Sequence, residues 1–285
     1  MNGFQEIQVA EDGLICPEVG GWAEEKHRHV SLFATLFSSA MKDKWVKRVY
    51  VELYAGAGYS RIRGSSKLIV GSPLLALKVK DRFDRYVFCE EDPEKIAALK
   101  FRVKQMAPGV DVAYVSGDCN KCIEEILANI PEGSKNNSVL SLCFADPFDI
   151  GLKFKTLRAI AENGRVDFLV LLALFSDARR AYKRYVMEDA VKVDEFLESK
   201  TWRERWRPAE KKGVPFPKFL AEEFAASMET LGYIRTPIHK MKLVRSDEKN
   251  LPLYYIAPFS KHPLALKFWD ESRKYGTDQK TLFES

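Results

Sequence analysis

No stretch of this 285-residue chain approaches the roughly 18 consecutive apolar residues that a membrane-spanning helix needs. Its first residues, MNGFQEIQVAEDG, lack the basic and apolar regions of a secretory signal. Cysteine is sparse: Cys16, Cys89, Cys119, Cys122 and Cys143, five in all. An odd count with no small-domain framework predicts a reducing, cytoplasmic setting rather than a disulfide scaffold. Cys119 and Cys122 form a CxxC, but a zinc site needs a second such pair or added histidines, and no second pair exists. No metal is expected. The chain also has no internal repeat and no low-complexity tract.

What is present is ordinary globular material, 46% hydrophobic and 30% charged. Forty-five basic side chains against 40 acidic ones leave a formal charge of +5. That excess permits a polyanionic partner without requiring one, since only a clustered basic face would be a footprint.

The pattern alternates. Residues 22–41 carry apolar side chains at Val30, Phe33, Ala34 and Phe37, the spacing of an amphipathic helix. VYVELY at 49–54 reads as a buried strand running into AGAG, followed by a long loop. Ser72-Pro73 reads as the N-cap and first turn of a helix through PLLALKVKDRF. Strands follow at 85–91, 111–118, 138–146 and 166–175, with helices from Asp92-Pro93, around 121–130 and around 152–162. Alternation with continuous apolar strands predicts a parallel sheet covered on both faces. Residues 178–199 read as a charged helix, and 217–231 as another. KMKLVR at 240–245 and LYYIAPF at 253–259 read as a hairpin completing the sheet, before a last helix from His262. The expectation is one domain over 1–285, with a helical extension at 1–47 and a helical insertion at 178–232.

Four strand ends carry residues with chemistry. The first ends in Glu52-Leu-Tyr-Ala-Gly56-Ala-Gly58, and glycine lets backbone approach a ligand closely. A dinucleotide fingerprint would need a third glycine where Arg61 stands, which disfavours an NAD site. Glu90 ends the second strand, where a carboxylate accepts both ribose hydroxyls of a nucleotide. Asp118, with Cys119 and Asn120, follows the third and can accept an adenine amino group. Asp146-Pro147-Phe148 follows the fourth. There an acid can accept amine protons, and an aromatic can stack on a base. Each alone has a plainer explanation as a helix-start acid, an N-cap or a strand terminator. Together they fall at successive strand ends, where open α/β sheets bind ligands.

This tetrad is similar to that of class I S-adenosylmethionine (SAM)-dependent methyltransferases. More narrowly, the chain resembles the bacterial three-Cys-motif partner (TcmP) proteins in WAEEKHRHV at 22–30, YVELYAGAGYSRIRG at 50–64, GSPLLAL at 71–77 and FCEEDPEKIAALK at 88–100. GDCN at 117–120, FADPFDIGL at 144–152 and FSKHPLALKFW at 259–269 continue the likeness. The resemblance implies a Rossmann-like methyltransferase three-layer sandwich, mostly parallel with a C-terminal hairpin, and SAM as cofactor. It also implies a companion protein with a three-cysteine motif, of radical-SAM type. Glu52, Tyr54 and Asp149 depart from the residues commoner there.

On this reading Glu52, Gly56 and Gly58 hold the methionine end, Glu90 the ribose, Asp118 and Cys119 the adenine side, and Asp146 to Phe148 the acceptor amine of a nucleobase or nucleotide-like substrate. The rival is a non-catalytic SAM- or nucleic-acid-binding adaptor. Arg61, Arg63 and Lys67, with the aromatic-cationic run Trp202 to Arg207, are the candidate nucleic-acid contacts. Two tryptophans four apart also suit the packed face of a helix.

Overall fold

The structure is a computed structural model that describes residues 11–175 and 182–278. Seven strands form one sheet: β2 (Lys47–Glu52), β5 (Arg85–Glu90), β6 (Val112–Ser116), β7 (Val139–Ala145), β8 (Arg165–Leu172), β9 (Lys242–Arg245) and β10 (Pro252–Phe259). Their spatial order is β6-β5-β2-β7-β8-β10-β9. The first five are parallel, and β10 runs antiparallel between β8 and β9. The order reverses at β2 and β7, the switch point of a Rossmann-like sheet.

Strand residues alternate between two cores, as a period of two requires. Val49, Val51, Val87, Cys89, Cys143 and Phe168 enter one core, shared with α5 (Phe154–Glu162), α7 (Lys192–Leu197), α8 (Trp202–Lys211) and α9 (Phe216–Thr230). Tyr50, Tyr86, Phe88, Leu142 and Leu169 enter the other, under α1 (Trp22–Met41), α2 (Ser72–Ala76), α3 (Pro93–Met106) and α10 (Pro263–Asp278). The result is the three-layer α/β sandwich expected, with the hairpin on its edge. A short helix, α4 (Ile123–Ala128), follows β6, and α6 (Tyr182–Val186) precedes α7.

Three local expectations are corrected. The long loop after the glycine turn is a hairpin, β3 (Tyr59–Ile62) with β4 (Leu68–Val70), joined by β1 (Glu18–Val19) into a small second sheet. Gly64, at φ +72°, makes its turn. The helix after Ser72 is one turn only, and beyond it the buried Arg48 guanidinium takes the Arg82 carbonyl at 2.8 Å and the Ser38 carbonyl of α1 at 2.9 Å. Gly71, not Ser72, is its N-cap. The charged helix expected over 178–199 is broken between α6 and α7, where Arg203 takes the Met187 and Ala190 carbonyls at 2.9 and 2.6 Å. Its residues 178–181 lie outside the described residues.

Candidate functional site

Because β6, β5, β2 and β7 are adjacent and parallel, their carboxyl ends lie side by side, and the four sequence motifs share one edge of the sheet. Backbone hydrogen bonds continue the sheet into the loops: Leu53 N–H to the Phe144 carbonyl at 3.0 Å, Ala55 N–H to Cys89 at 2.9 Å, and Gly117 N–H to Glu90 at 3.0 Å. The turn is thus held rigidly before any side chain is considered.

The two glycines of that turn do different things. Gly56 has φ +65° and nothing within 4 Å of where a Cβ would stand, so its backbone borders open space. Gly58, at φ +87°, is packed: a Cβ would meet Leu74 and Leu99 at 3.0 and 3.1 Å. Its carbonyl accepts Gly71 N–H at 2.7 Å. From behind, buried Arg102 donates to the Ala57 carbonyl at 2.7 Å while its guanidinium pairs with Asp12.

Glu90 meets the turn directly. Its Oε2 accepts the Gly56 N–H at 2.7 Å, and Oε1 accepts the Asp92 N–H at 3.1 Å. Each oxygen keeps a lone pair for another donor. Asp92 itself caps α3, accepting from the Glu94 and Lys95 N–H groups. The acid that caps the helix and the acid that holds the glycine turn are therefore separate residues.

After β6, Asp118 Oδ1 accepts both the backbone and side-chain N–H groups of Asn120, at 2.9 and 3.0 Å. The Asn120 amide also donates to the Gly151 carbonyl at 3.1 Å and accepts from Lys153 N–H and Thr156 Oγ1 at 2.9 and 2.8 Å. It ties the β6 loop to the β7 loop. Cys119 is buried, and burial pushes its thiol up to about 11.

The β7 end differs from the simple acceptor site expected. Asp146 Oδ2 accepts the Lys26 ammonium at 2.5 Å, with both side chains largely buried. Oδ1 has no hydrogen bond among the described residues. Lys26 also lies 5.5 Å from the centre of the Trp22 ring. Pro147 is buried, while Phe148 is 84% exposed with the Lys95 ammonium 5.8 Å from its ring centre. Asp149 turns aside, accepting the Gly151 N–H at 2.6 Å and pairing with Lys192 at 2.7 Å.

Glu52 is the main displacement from expectation. It is fully buried beneath the turn, and its two oxygens accept the Ser72 hydroxyl at 2.5 Å and the Tyr50 hydroxyl at 3.0 Å. Burial pushes its carboxyl up to about 8 against those two hydrogen bonds, which pull the other way. It joins β2 to α2.

Of the candidate nucleic-acid contacts, base stacking on the tryptophans needs correction. Trp202 and Trp206 are buried in the core with Phe216 and Phe219, so neither face of Trp206 is open to a base. Arg61 pairs with Glu11 at 2.5 Å and Lys67 with Glu24 at 2.7 Å, and Arg63 lies 4.0 Å from Glu18. His27 is buried, and desolvation together with the neighbouring Lys26 charge holds its imidazole neutral, well below its usual range.

Lys26 and Arg102 carry roles that the sequence reading did not assign. Lys26 had a readable signal, since it lies four residues from both Trp22 and Val30 on the apolar stripe of α1. A cation on a buried stripe needs a partner.

No family model matches the chain, and no curated protein matches it. Among solved structures it is similar to an O-methyltransferase from Bacillus cereus in complex with SAH, at 8% identity over 80% of each chain and a TM-score of 0.44. It is similar to magnesium protoporphyrin IX methyltransferase (ChlM) from Synechocystis PCC 6803 with bound SAH, at 8% identity over 84% of this chain and 85% of that one, TM-score 0.43. M. jannaschii TYW2 in complex with AdoMet matches at 12% identity over 86% and 78%, TM-score 0.39. Likenesses of this size say nothing about the reaction, which has to be read from the residues.

Proposed function

We propose that this chain is a SAM-dependent methyltransferase whose cofactor lies across the carboxyl ends of β2, β5 and β6. The observation that carries the reading is the hydrogen bond from Gly56 N–H to Glu90. It fixes a carboxylate with spare lone pairs beside a glycine whose Cβ side is open, as a ribose diol next to close-approaching backbone requires. The second oxygen of Asp118 is the acceptor for the adenine amino group. Glu52 acts from beneath, through Ser72, to hold the turn. SAM supplies an electrophilic methyl group.

The acceptor side is the Asp146-Pro147-Phe148 edge. Asp146 Oδ1 accepts a proton of the substrate amine and so aims the nitrogen lone pair. Exposed Phe148 offers a face to a planar base. Proximity and alignment supply most of the rate. The substrate class is an amine of a nucleobase or nucleotide-like molecule. Kinship to the three-Cys-motif partner proteins, and with it a radical-SAM-type companion, rests on the sequence stretches quoted above. The adaptor reading has one observation in its favour: Lys26 already neutralises Asp146.

The test is calorimetric titration with SAM and with S-adenosylhomocysteine. Glu90→Ala should weaken both by about tenfold or more, since a charge-assisted acceptor is worth roughly 1.5–3 kcal/mol. Unchanged affinity in a folded variant removes the ribose role. Labelled SAM offered with total RNA, DNA and protein then identifies the acceptor class, and failure to label any of them while SAM binds favours the adaptor.

A further inference from the structure

A cavity of about 710 Å³ opens at the opposite, amino-terminal end of the sheet, where β7 and β8 begin. Its charged lining is all of one sign: Lys44, Lys135 and Arg165, with no carboxylate among the lining residues. None of the three cations has an ion pair among the described residues. Arg165 instead lies over the Trp45 ring, 5.7 Å from its centre, and Trp45 forms one wall. This contrasts with the hairpin beside the glycine turn, where the cations lie against acids.

The floor gives the second observation. β7 reads Val-Leu-Ser-Leu-Cys-Phe-Ala, and Ser141 is its one polar residue. Ser141 is only 4% exposed, lines the cavity, and makes no side-chain hydrogen bond among the described residues. In an otherwise apolar strand, its hydroxyl is the polar group that β7 places at this cavity. Its hydroxyl and that of Ser134, both in the lining, are donors that an anion in the cavity could use.

We infer that this cavity is a second ligand site, for a phosphate ester carried on a planar ring, the chemistry of a mononucleotide. Its size falls within the roughly 300–1,000 Å³ of small-molecule sites. Arginine and lysine meet the phosphate, the serine hydroxyls complete its hydrogen bonds, and Trp45 meets the ring. The site is separated from Glu90 and Asp146 by the length of the strands, so it is independent of the cofactor reading.

The test titrates the full chain with adenosine 5′-monophosphate by calorimetry in the presence of saturating S-adenosylhomocysteine, which occupies the strand carboxyl ends if the first reading holds. Should that compound not bind, the variants below still report on this cavity alone. One nucleotide should bind, and Arg165→Gln and Lys135→Gln, both exposed positions, should each weaken it by about tenfold, the loss expected for a charge-assisted hydrogen bond. Ser141→Ala should weaken it a few-fold with no loss of stability. Inorganic phosphate should bind less tightly than the nucleotide, because it forgoes Trp45. No binding at millimolar nucleotide, equal affinity for phosphate and nucleotide, or indifference to both Arg165→Gln and Lys135→Gln overturns the proposal.

Discussion

The Lys26 ammonium and the Asp146 carboxylate meet at 2.5 Å across 120 residues of sequence, joining the first helix to the end of the fourth sheet strand. Both side chains are more than four-fifths buried. The pair therefore sits where desolvation is costly and the attraction strong. It fixes the aspartate's direction, leaving one oxygen engaged and the other available.

Removing one partner should be worse than removing both. Lys26→Met strands a carboxylate and should cost about 3 kcal/mol, the low end for breaking a buried pair. Asp146→Ala strands the ammonium at similar cost. The double variant should be more stable than the sum of the two by at least about 1 kcal/mol, as expected for residues in contact. Urea denaturation of the four proteins checks this, and simple additivity would mean that the pair is not coupled. In the same set, Asp146→Ala should lose methyl transfer while SAM affinity stays within a few-fold, because its partner is the acceptor.

Trp206 tests the exclusion of base stacking. With the ring buried against Phe216 and Phe219, Trp206→Ala should destabilise the fold by about 3–5 kcal/mol. It should leave the salt dependence of any RNA or DNA binding unchanged, since no phosphate contact is lost. A folded, fully stable variant with weakened single-strand binding would restore the nucleic-acid reading.

The sheet was legible because its strands are continuous apolar runs punctuated by glycine, Asp-Pro and Gly-Asp. The order of chemistry at strand ends needed only that alternation. What escaped was set by tertiary contacts. Ser72 has the composition of an N-cap, but a buried glutamate twenty residues away claims its hydroxyl. Residues 178–199 have helical composition, yet Arg203 draws carbonyls out of that path. Glu52 sits at a strand end like Glu90, and sequence offers no sign that one lies beneath the turn and the other beside it. The hairpin at 59–70 had a signal that the reading as a loop passed over, a glycine, Gly64, between the short runs Tyr59–Ile62 and Leu68–Val70.

The cysteines should divide by burial. Cys89, Cys119 and Cys143 are buried, and Cys16 and Cys122 half-exposed. Desolvation pushes the three buried thiols up, Cys119 to about 11 and the other two also upward, and it raises Cys16 as well, so access to solvent is what divides the set. Because the thiolate is the reacting species, a disulfide reagent at pH 8 should modify Cys16 and Cys122 in the native protein, with the other three reacting only on denaturation. Mass spectrometry of labelled peptides checks the division. Rapid native labelling of Cys119 would mean that the β6 loop opens.

Glu52 should leave a mark on the pH dependence of stability. Its carboxyl is raised from 4.5 to about 8, chiefly by burial, with the Asp146 charge adding to the rise and Ser72, Tyr50 and Lys26 opposing it. A raised acid binds its proton more tightly folded than unfolded. Its contribution is therefore fully present below about pH 4.5, declines as pH rises, and is gone above about pH 8. Glu52→Gln keeps an acceptor for one hydroxyl and removes the titration. The difference in unfolding free energy, wild type minus variant, should fall steadily between pH 5 and pH 8 and flatten above. His27 contributes the opposite slope: its lowered pKa means stability is lost as pH falls below its ordinary 6.5. Because it is common to both proteins, taking the difference cancels it. Parallel curves across that window would mean that Glu52 is ionised in the folded protein, with its two hydroxyl donors outweighing the loss of water. A falling difference would identify a neutral acid beneath the glycine turn, its proton held by burial and its place fixed by Ser72.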